Sequence, residues 1–284
     1  MIDNSSLQTF KECAYRYQLK YVEGYEKIEK GAEVHHANFG SAIHKGLEIH
    51  YKGGSDYEAI ESFKKEYPSQ LDPEDLAKTQ ENGIILLGEY CKRWNGEDSK
   101  FEVVAVELKD SFVVNGIEYV VKVDMVIRRK DTGELYIVDH KTTGKSLDYN
   151  YWNSFDPSSQ ITGYCAWAKQ KYGQCSGLYI NAISFGYRKR AYKGEPAGFH
   201  CDFGRQMFNR NQRQIEAWGK DLRGWADKLN EARDKNLWLK NMGACRFCSY
   251  RPICMAEWNL EEDRELIELQ YQKGNPLEYL GEIL

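Results

Sequence analysis

The stretch from Phe101 to Thr143 constrains the fold more than any other part of the chain. FEVVAVEL and SFVV read as strand, and Asn115-Gly116 is a strong signal for a two-residue hairpin turn. IEYVVKVDMVIRR follows as a long strand, and Asp131-Thr132-Gly133 turns the chain into ELYIVDHK. A meander of this kind, followed by a helix opening at Pro157 (PSSQITGYCAWAKQKYG), predicts a crossover to further strands at GLYINAISFGY and GFHCDFG. The fold class expected is α/β (α+β), a mixed central sheet flanked by helices. There is no glycine-rich phosphate loop, so a doubly wound nucleotide fold is excluded.

Helices are expected on either side of this core. Ser5 with Gln8 makes a capping box, and Leu7, Phe10, Ala14, Tyr17 and Tyr21 mark one helical face. A second helix is expected near Phe39–Tyr51, stopping at Gly53-Gly54. A third is expected after Pro73, running through Ile84, Leu87, Cys91 and Trp94. A long polar helix is expected from about Arg205 to Lys235, leading into GACRFCSYRPIC. The reading is one domain over 1–284: a helical part at 1–95, a core sheet at 101–204 and a C-terminal helix with a cysteine segment at 205–284.

With 284 residues, the chain can bury a full core. No apolar run approaches the roughly 20 residues needed to span a bilayer. The opening MIDNSSLQTF lacks the basic-then-apolar order of a signal peptide, so the expected location is cytoplasmic, with no membrane partner. The formal charge of −4 argues against a generic basic coat for nucleic acid. It leaves room for a local basic groove, because affinity depends on the charge that faces the phosphates.

Asp139-His140-Lys141 ends a strand, and Asp124 lies in the strand before it. Side chains alternate along a strand, so Asp139 and Lys141 share a face with Ile137. Pairing across the 131–133 turn brings Asp124 alongside. Two carboxylates and an ammonium at one sheet end suit phosphodiester hydrolysis. The carboxylates would bind Mg²⁺ or Mn²⁺, and the lysine would orient water and stabilise developing negative charge. The plainer alternative is a salt bridge at strand ends. Gln160 and Tyr164 lie four apart on the next helix, and His44 sits on an upstream one.

Gly40 to His44, Asp124, Asp139 with Lys141, and Gln160 with Tyr164 stand in an order that resembles the RecB-like branch of the PD-(D/E)XK nucleases. The resemblance implies a restriction-endonuclease-like fold and a deoxyribonuclease, an exonuclease on single-stranded DNA or DNA ends. It implies metal ligation by His44, Asp124, Asp139 and the backbone carbonyl of His140. Lys141 would act on the water, and Gln160 and Tyr164 would hold the substrate strand or the site. An imidazole ligand would favour Mn²⁺ somewhat over Mg²⁺. The sequence departs from the pattern at Lys122-Val123 and at His140, and neither change removes a ligand. Glu107 resembles a frequent family acid or is a strand-end charge. The alternative function is a non-catalytic DNA-binding or assembly subunit on the same fold.

Eight cysteines are many for a cytosolic chain, where disulfides are disfavoured. Cys91, Cys165, Cys175 and Cys201 read as small buried hydrophobes. Cys245, Cys248 and Cys254 bring three thiols into one short segment, and Cys13 is the candidate fourth. The spacing suits zinc and an iron–sulfur cluster equally. The arrangement resembles the cluster-binding cysteines of the Cas-four CRISPR-adaptation nucleases and the AddB nuclease domain, from near residue 5 to near 258. That resemblance implies a [4Fe–4S] cluster on Cys13, Cys245, Cys248 and Cys254. It also implies a helicase, recombinase or CRISPR-adaptation partner, since the chain carries no helicase motif. Arg128-Arg129-Lys130, Arg188-Lys189-Arg190 and the aromatic loop 146–153 are candidate DNA contacts, or else solvated strand ends and packed rings.

Overall fold

The computed structural model describes residues 1–28, 32–67, 75–191 and 194–275, with the side chains of 32–38 outside that description. Its elements in chain order begin with β1 (Ile2–Asp3), α1 (Asn4–Glu12), α2 (Ala14–Tyr17) and β2 (Tyr25–Lys27). Helices α3 (Ala32–Tyr51), α4 (Asp56–Glu66) and α5 (Gln80–Asp98) follow. The meander is β3 (Phe101–Val114), β4 (Ile117–Arg129) and β5 (Leu135–Thr143). Then come α6 (Tyr149–Asn153), α7 (Ser159–Tyr172), β6 (Gly177–Arg188), β7 (Gly198–Phe208) and α8 (Gln212–Asp234). The C-terminal segment holds α9 (Arg251–Ala256), α10 (Arg264–Glu268) and β8 (Tyr271–Lys273). This is the mixed α/β architecture expected, a central mixed sheet flanked by helices.

Two compact units divide the chain. One collects 30–108 and 122–211, and the other collects 1–29, 109–121 and 212–284. In the first, the second half of β4 pairs antiparallel with β5, β5 runs parallel to β6, and β6 pairs antiparallel with β7. The parallel pair is what the α7 crossover permits. Ile183 and Phe185 of β6 join Phe39, Ile43, Leu47, Phe63, Leu86, Leu87 and Tyr90 in one apolar core, so α3, α4 and α5 pack on that sheet face. Helix α7 lies against β5 and β6. In the second unit, Ile2 and Asp3 of β1 run parallel to Tyr119 and Val120 of β4, and β2 pairs with β8. A separate core of Leu19, Tyr25, Tyr250, Ile253, Ile267 and Tyr271 sits there.

Local signals explain most of the boundaries. Asn115 and Gly116 both have positive φ (49° and 75°), the type I′ geometry that matches strand twist. Gly173 closes α7 in the left-handed conformation. Several expectations need correction. The first helix is capped by Asp3, whose side chain accepts from the Ser6 amide, rather than by Ser5 with Gln8. Pro157 stands before α7, which Ser158 caps. The third long helix opens at Gln80 behind the Thr79 cap, and Pro73 lies outside the described residues. Arg205 belongs to β7, and the long polar helix begins only at Gln212. Cys175 lies in the loop between α7 and β6.

Candidate functional site

The C-terminal end of β5 delivers Asp139 and Lys141, and the neighbouring β4 delivers Asp124. The register Met125–Val138 and Val126–Ile137 sets Asp124 beside this end of the sheet. Asp124 Oδ2 accepts from the His140 amide at 2.7 Å, which fixes the carboxylate against the β5 backbone. His44 reaches the same carboxylate from α3, with Nδ1 3.7 Å from Asp124 Oδ2. Gly40 allows that approach, because a Cβ there would stand 3.0 Å from Thr142 Oγ1 at the end of β5.

Glu107 completes the group. One ligand atom each from His44, Glu107 and Asp124 lies within 4.8 Å of the others. Glu107 sits at φ 49° in the middle of β3, a left-handed backbone that costs a non-glycine residue roughly 1–2 kcal/mol. Its carboxylate is 3.2 Å from Lys122 Nζ. His44, Glu107 and Lys122 line a cavity of about 410 Å³ together with Gly40, Glu48 and Thr142.

Asp139 is almost fully buried and pairs with Lys141, Nζ to Oδ2 at 2.7 Å. Burial would lower the lysine's pKa, but the carboxylates of Asp139 and Asp124 outweigh it and hold the ammonium above its usual value. Burial first, and the Asp139 charge next, push the Asp124 carboxyl up to about 7. His44 is held below its ordinary value, mainly by burial, and so presents a neutral ring. Two carboxylates and a neutral imidazole around one point form a donor set short of positive charge. A divalent cation fits it.

The His140 ring meets the His44 ring edge-on, with centroids 5.9 Å apart, and makes its own contacts on the far side. The ring is buried, stacked on Tyr51 with centroids 5.6 Å apart, and Asn181 Nδ2 donates to its Nδ1 at 2.7 Å. Its backbone amide is the group that bonds Asp124. The same Asn181 amide donates to Tyr90 Oη at 2.5 Å, while its Oδ1 accepts from Arg205 Nε at 3.0 Å. Arg205 pairs in turn with Asp98 and stacks on Trp94, 3.9 Å from the ring centroid. This buried network positions the strand that carries Asp139 and Lys141.

Gln160 and Tyr164 meet as their spacing predicts, Gln160 Nε2 donating to Tyr164 Oη at 3.1 Å. The Tyr164 hydroxyl donates to the Lys122 carbonyl, two residues before Asp124. Both side chains therefore brace β4. Of the aromatic loop, Tyr151 is buried against Trp152 and Phe155, and Trp152 Nε1 donates to the Leu147 carbonyl. Only Tyr149 stands well exposed, at 77%. The basic clusters are largely paired locally: Arg129 with Asp131, Arg128 with Glu102, and Arg188 with Glu195.

In the other unit, Cys13, Cys245, Cys248 and Cys254 line one small cavity. The Asn241 amide donates to Cys13 Sγ at 3.4 Å, and Cys245 Sγ lies 3.8 Å from the Asn241 carbonyl. Burial first, then the neighbouring thiols, push Cys254 up to about 11. The four thiols line this cavity without converging on one point as the His44, Glu107 and Asp124 ligand atoms do.

The sequence model of the PD-(D/E)XK nuclease superfamily matches residues 4–255. The chain belongs to that superfamily. Enzymes of the PD-(D/E)XK superfamily use divalent metals, in keeping with the carboxylate and histidine group found here. No curated protein matches the sequence. The crystal structure of a protein named "Putative exonuclease", from Eubacterium rectale, is similar to this PD-(D/E)XK chain in fold. It is 14% identical, with a TM-score of 0.52 over 94% of this chain and 91% of that one. The crystal structure of SSO0001 is 13% identical, with a TM-score of 0.30 over 77% of this chain and 86% of that one, too weak a likeness to carry argument.

Among the site residues, sequence reasoning undervalued Glu107. The alternation of VAVELKD shows an ordinary strand, and only the positive φ reveals the kink that turns Glu107 toward His44 and Asp124. Asp98 and Arg205 were missed altogether, because 107 positions separate them.

Proposed function

We propose that this PD-(D/E)XK protein is a divalent-metal-dependent deoxyribonuclease, an exonuclease acting on single-stranded DNA or DNA ends. The observation that carries the reading is the convergence of His44, Glu107 and Asp124 within 4.8 Å, beside the Asp139–Lys141 pair. His44, Glu107 and Asp124 would hold Mg²⁺ or Mn²⁺, with Asp139 and the His140 carbonyl added by the superfamily pattern. Such an ion, when bound, neutralises phosphate charge and lowers the pKa of water. Lys141 stays protonated against Asp139, so it orients water and stabilises negative charge rather than accepting a proton. Gln160 and Tyr164 keep the Asp124 strand in place. Tyr149, exposed at the start of α6, supplies a ring on which an unpaired base can stack.

The same reading assigns a [4Fe–4S] cluster to Cys13, Cys245, Cys248 and Cys254. Its support is the four thiols lining one cavity, together with the spacing shared with cluster-bearing nucleases. The cluster's place is structural, tying the first helices to the C-terminal segment.

The test is a time course on end-labelled single- and double-stranded DNA with each metal. Wild-type protein should release fragments with Mn²⁺ or Mg²⁺ and none with chelator. Lys141→Ala should cut at least 100-fold more slowly while keeping the wild-type circular dichroism and iron content. Undiminished cleavage by Lys141→Ala would remove Lys141 from the chemistry. Binding without fragments by wild-type protein would favour a DNA-binding subunit instead.

A further inference from the structure

A second group of metal-ligating side chains lies in the same unit, on the helices that back the sheet. His50 is in the last turn of α3, Asp56 opens α4 after the Ser55 cap, and Cys91 lies in the middle of α5. One ligand atom from each lies within 4.8 Å of the other two. Cys91 Sγ is 3.6 Å from His50 Nδ1, and His50 Nδ1 is 3.5 Å from Asp56 Oδ1.

We propose that His50, Asp56 and Cys91 form a zinc site that clamps α3, α4 and α5 together. The two His50 separations are close to a tetrahedral ion's coordination edges. Zinc–sulfur and zinc–nitrogen bonds of about 2.3 and 2.0–2.1 Å at a tetrahedral angle give an S···N edge of about 3.6 Å, and zinc–nitrogen with zinc–oxygen gives about 3.3 Å. The donor set selects the metal class. A thiolate is a poor ligand for Mg²⁺ or Mn²⁺, whereas thiolate, imidazole and carboxylate together suit zinc. Cys91 is buried, His50 is a quarter exposed and Asp56 is 64% exposed, so the fourth position opens to water. Binding converts the Cys91 thiol to a thiolate and releases one proton to solvent, with no redox change.

The site sits where a clamp would matter. Tyr51 and Tyr90, the chain neighbours of His50 and Cys91, bring their hydroxyls to 2.6 Å and both receive Arg205. Through Tyr90 and Asn181 they reach the ring of His140 on the nuclease strand. The zinc therefore orders helices that support the nuclease centre, without touching that centre. The inference holds whether or not the chain cleaves DNA.

The experiment measures zinc bound per chain, by elemental analysis and by competition with a chromophoric chelator, on the full-length protein with iron quantified in parallel. Wild-type protein and Asp124→Asn should both retain one zinc after buffer exchange. Cys91→Ser should lose it. Asp56→Asn, at an exposed position that cannot disturb the core, should bind at least 10-fold more weakly. Cobalt substitution adds a signature: a thiolate-to-cobalt charge-transfer band present in wild type and absent from Cys91→Ser. Zinc affinity unchanged in Asp56→Asn, or zinc content and cobalt spectra equal between wild type and Cys91→Ser, overturns the proposal. Loss of zinc in Asp124→Asn alone would place the ion at the nuclease centre and overturn it as well.

Discussion

Asp124 is held in place by an amide hydrogen bond and yet surrounded by groups that oppose its charge. Its carboxyl, pushed up to about 7 by burial and by Asp139, binds a proton more tightly in the folded chain than in the unfolded one. Such a group contributes stability that is present in full below the unfolded pKa, near 4. That contribution is lost as pH rises toward the folded pKa, near 7. Metal-free protein should therefore lose thermal stability between about pH 4 and pH 7, and Asp124→Asn should flatten that slope. Adding Mn²⁺ at pH 7.5 should restore the wild-type Tm and leave the Asn variant nearly unmoved. Thermal melts across pH, with chelator and with metal, check this. A wild-type slope that matches the Asn variant's would mean that Asp124 is not the group under strain.

At the scale of elements, Tyr164 shows how one helix serves the site. Its hydroxyl accepts from Gln160 and donates to the Lys122 carbonyl, so α7 fixes β4 just ahead of Asp124. Tyr164→Phe removes that bond and leaves the carbonyl and the Gln160 amide short of a partner, a cost of about 1–3 kcal/mol. The variant should fold and lose roughly 10-fold or more in cleavage rate. The metal concentration for half-maximal activity should rise, because β4 carries Asp124, a proposed ligand. A rate loss with unchanged metal dependence would instead tie Tyr164 to the DNA strand.

The strands of this sheet were legible because their alternation and their turns are local. Ile117–Arg129 and Gly177–Arg188 fall almost where the pattern put them, and Asn115-Gly116 closes the hairpin. The end of β7 was not legible, since RQMFNRNQ reads as the start of a polar helix. Arg205 sits half-buried in that strand with Asp98, 107 positions away, meeting its charge, and no local pattern reports a partner so distant. Glu107 was legible only as a candidate acid, and the His50–Asp56–Cys91 group was hidden, for the same reason. Each depends on a chain path that residue type does not reveal.

For the whole molecule, the question is what fastens a unit drawn from three stretches of chain. Residues 1–29 and 212–284 lie at opposite ends of the sequence, with 109–121 between them. Their apolar core is small, centred on Leu19, Tyr25, Tyr250, Ile253, Ile267 and Tyr271. The cysteines face one cavity from both ends, and Cys13 is 232 positions from Cys245. A crosslink closing so long a loop restricts the unfolded chain by about 4–5 kcal/mol, if a metal bridge acts as a disulfide does. That is a large share of the roughly 5–15 kcal/mol that holds typical domains folded. Cys13→Ser should therefore lose its iron and its visible absorbance, and denaturant should expose Trp225, Trp238 and Trp258 at a lower midpoint. The 30–108 and 122–211 unit has its own larger core, so its transition should move much less. Iron retained by Cys13→Ser would take Cys13 out of the ligand set, and zinc in place of iron would change the metal while leaving the fastening argument intact.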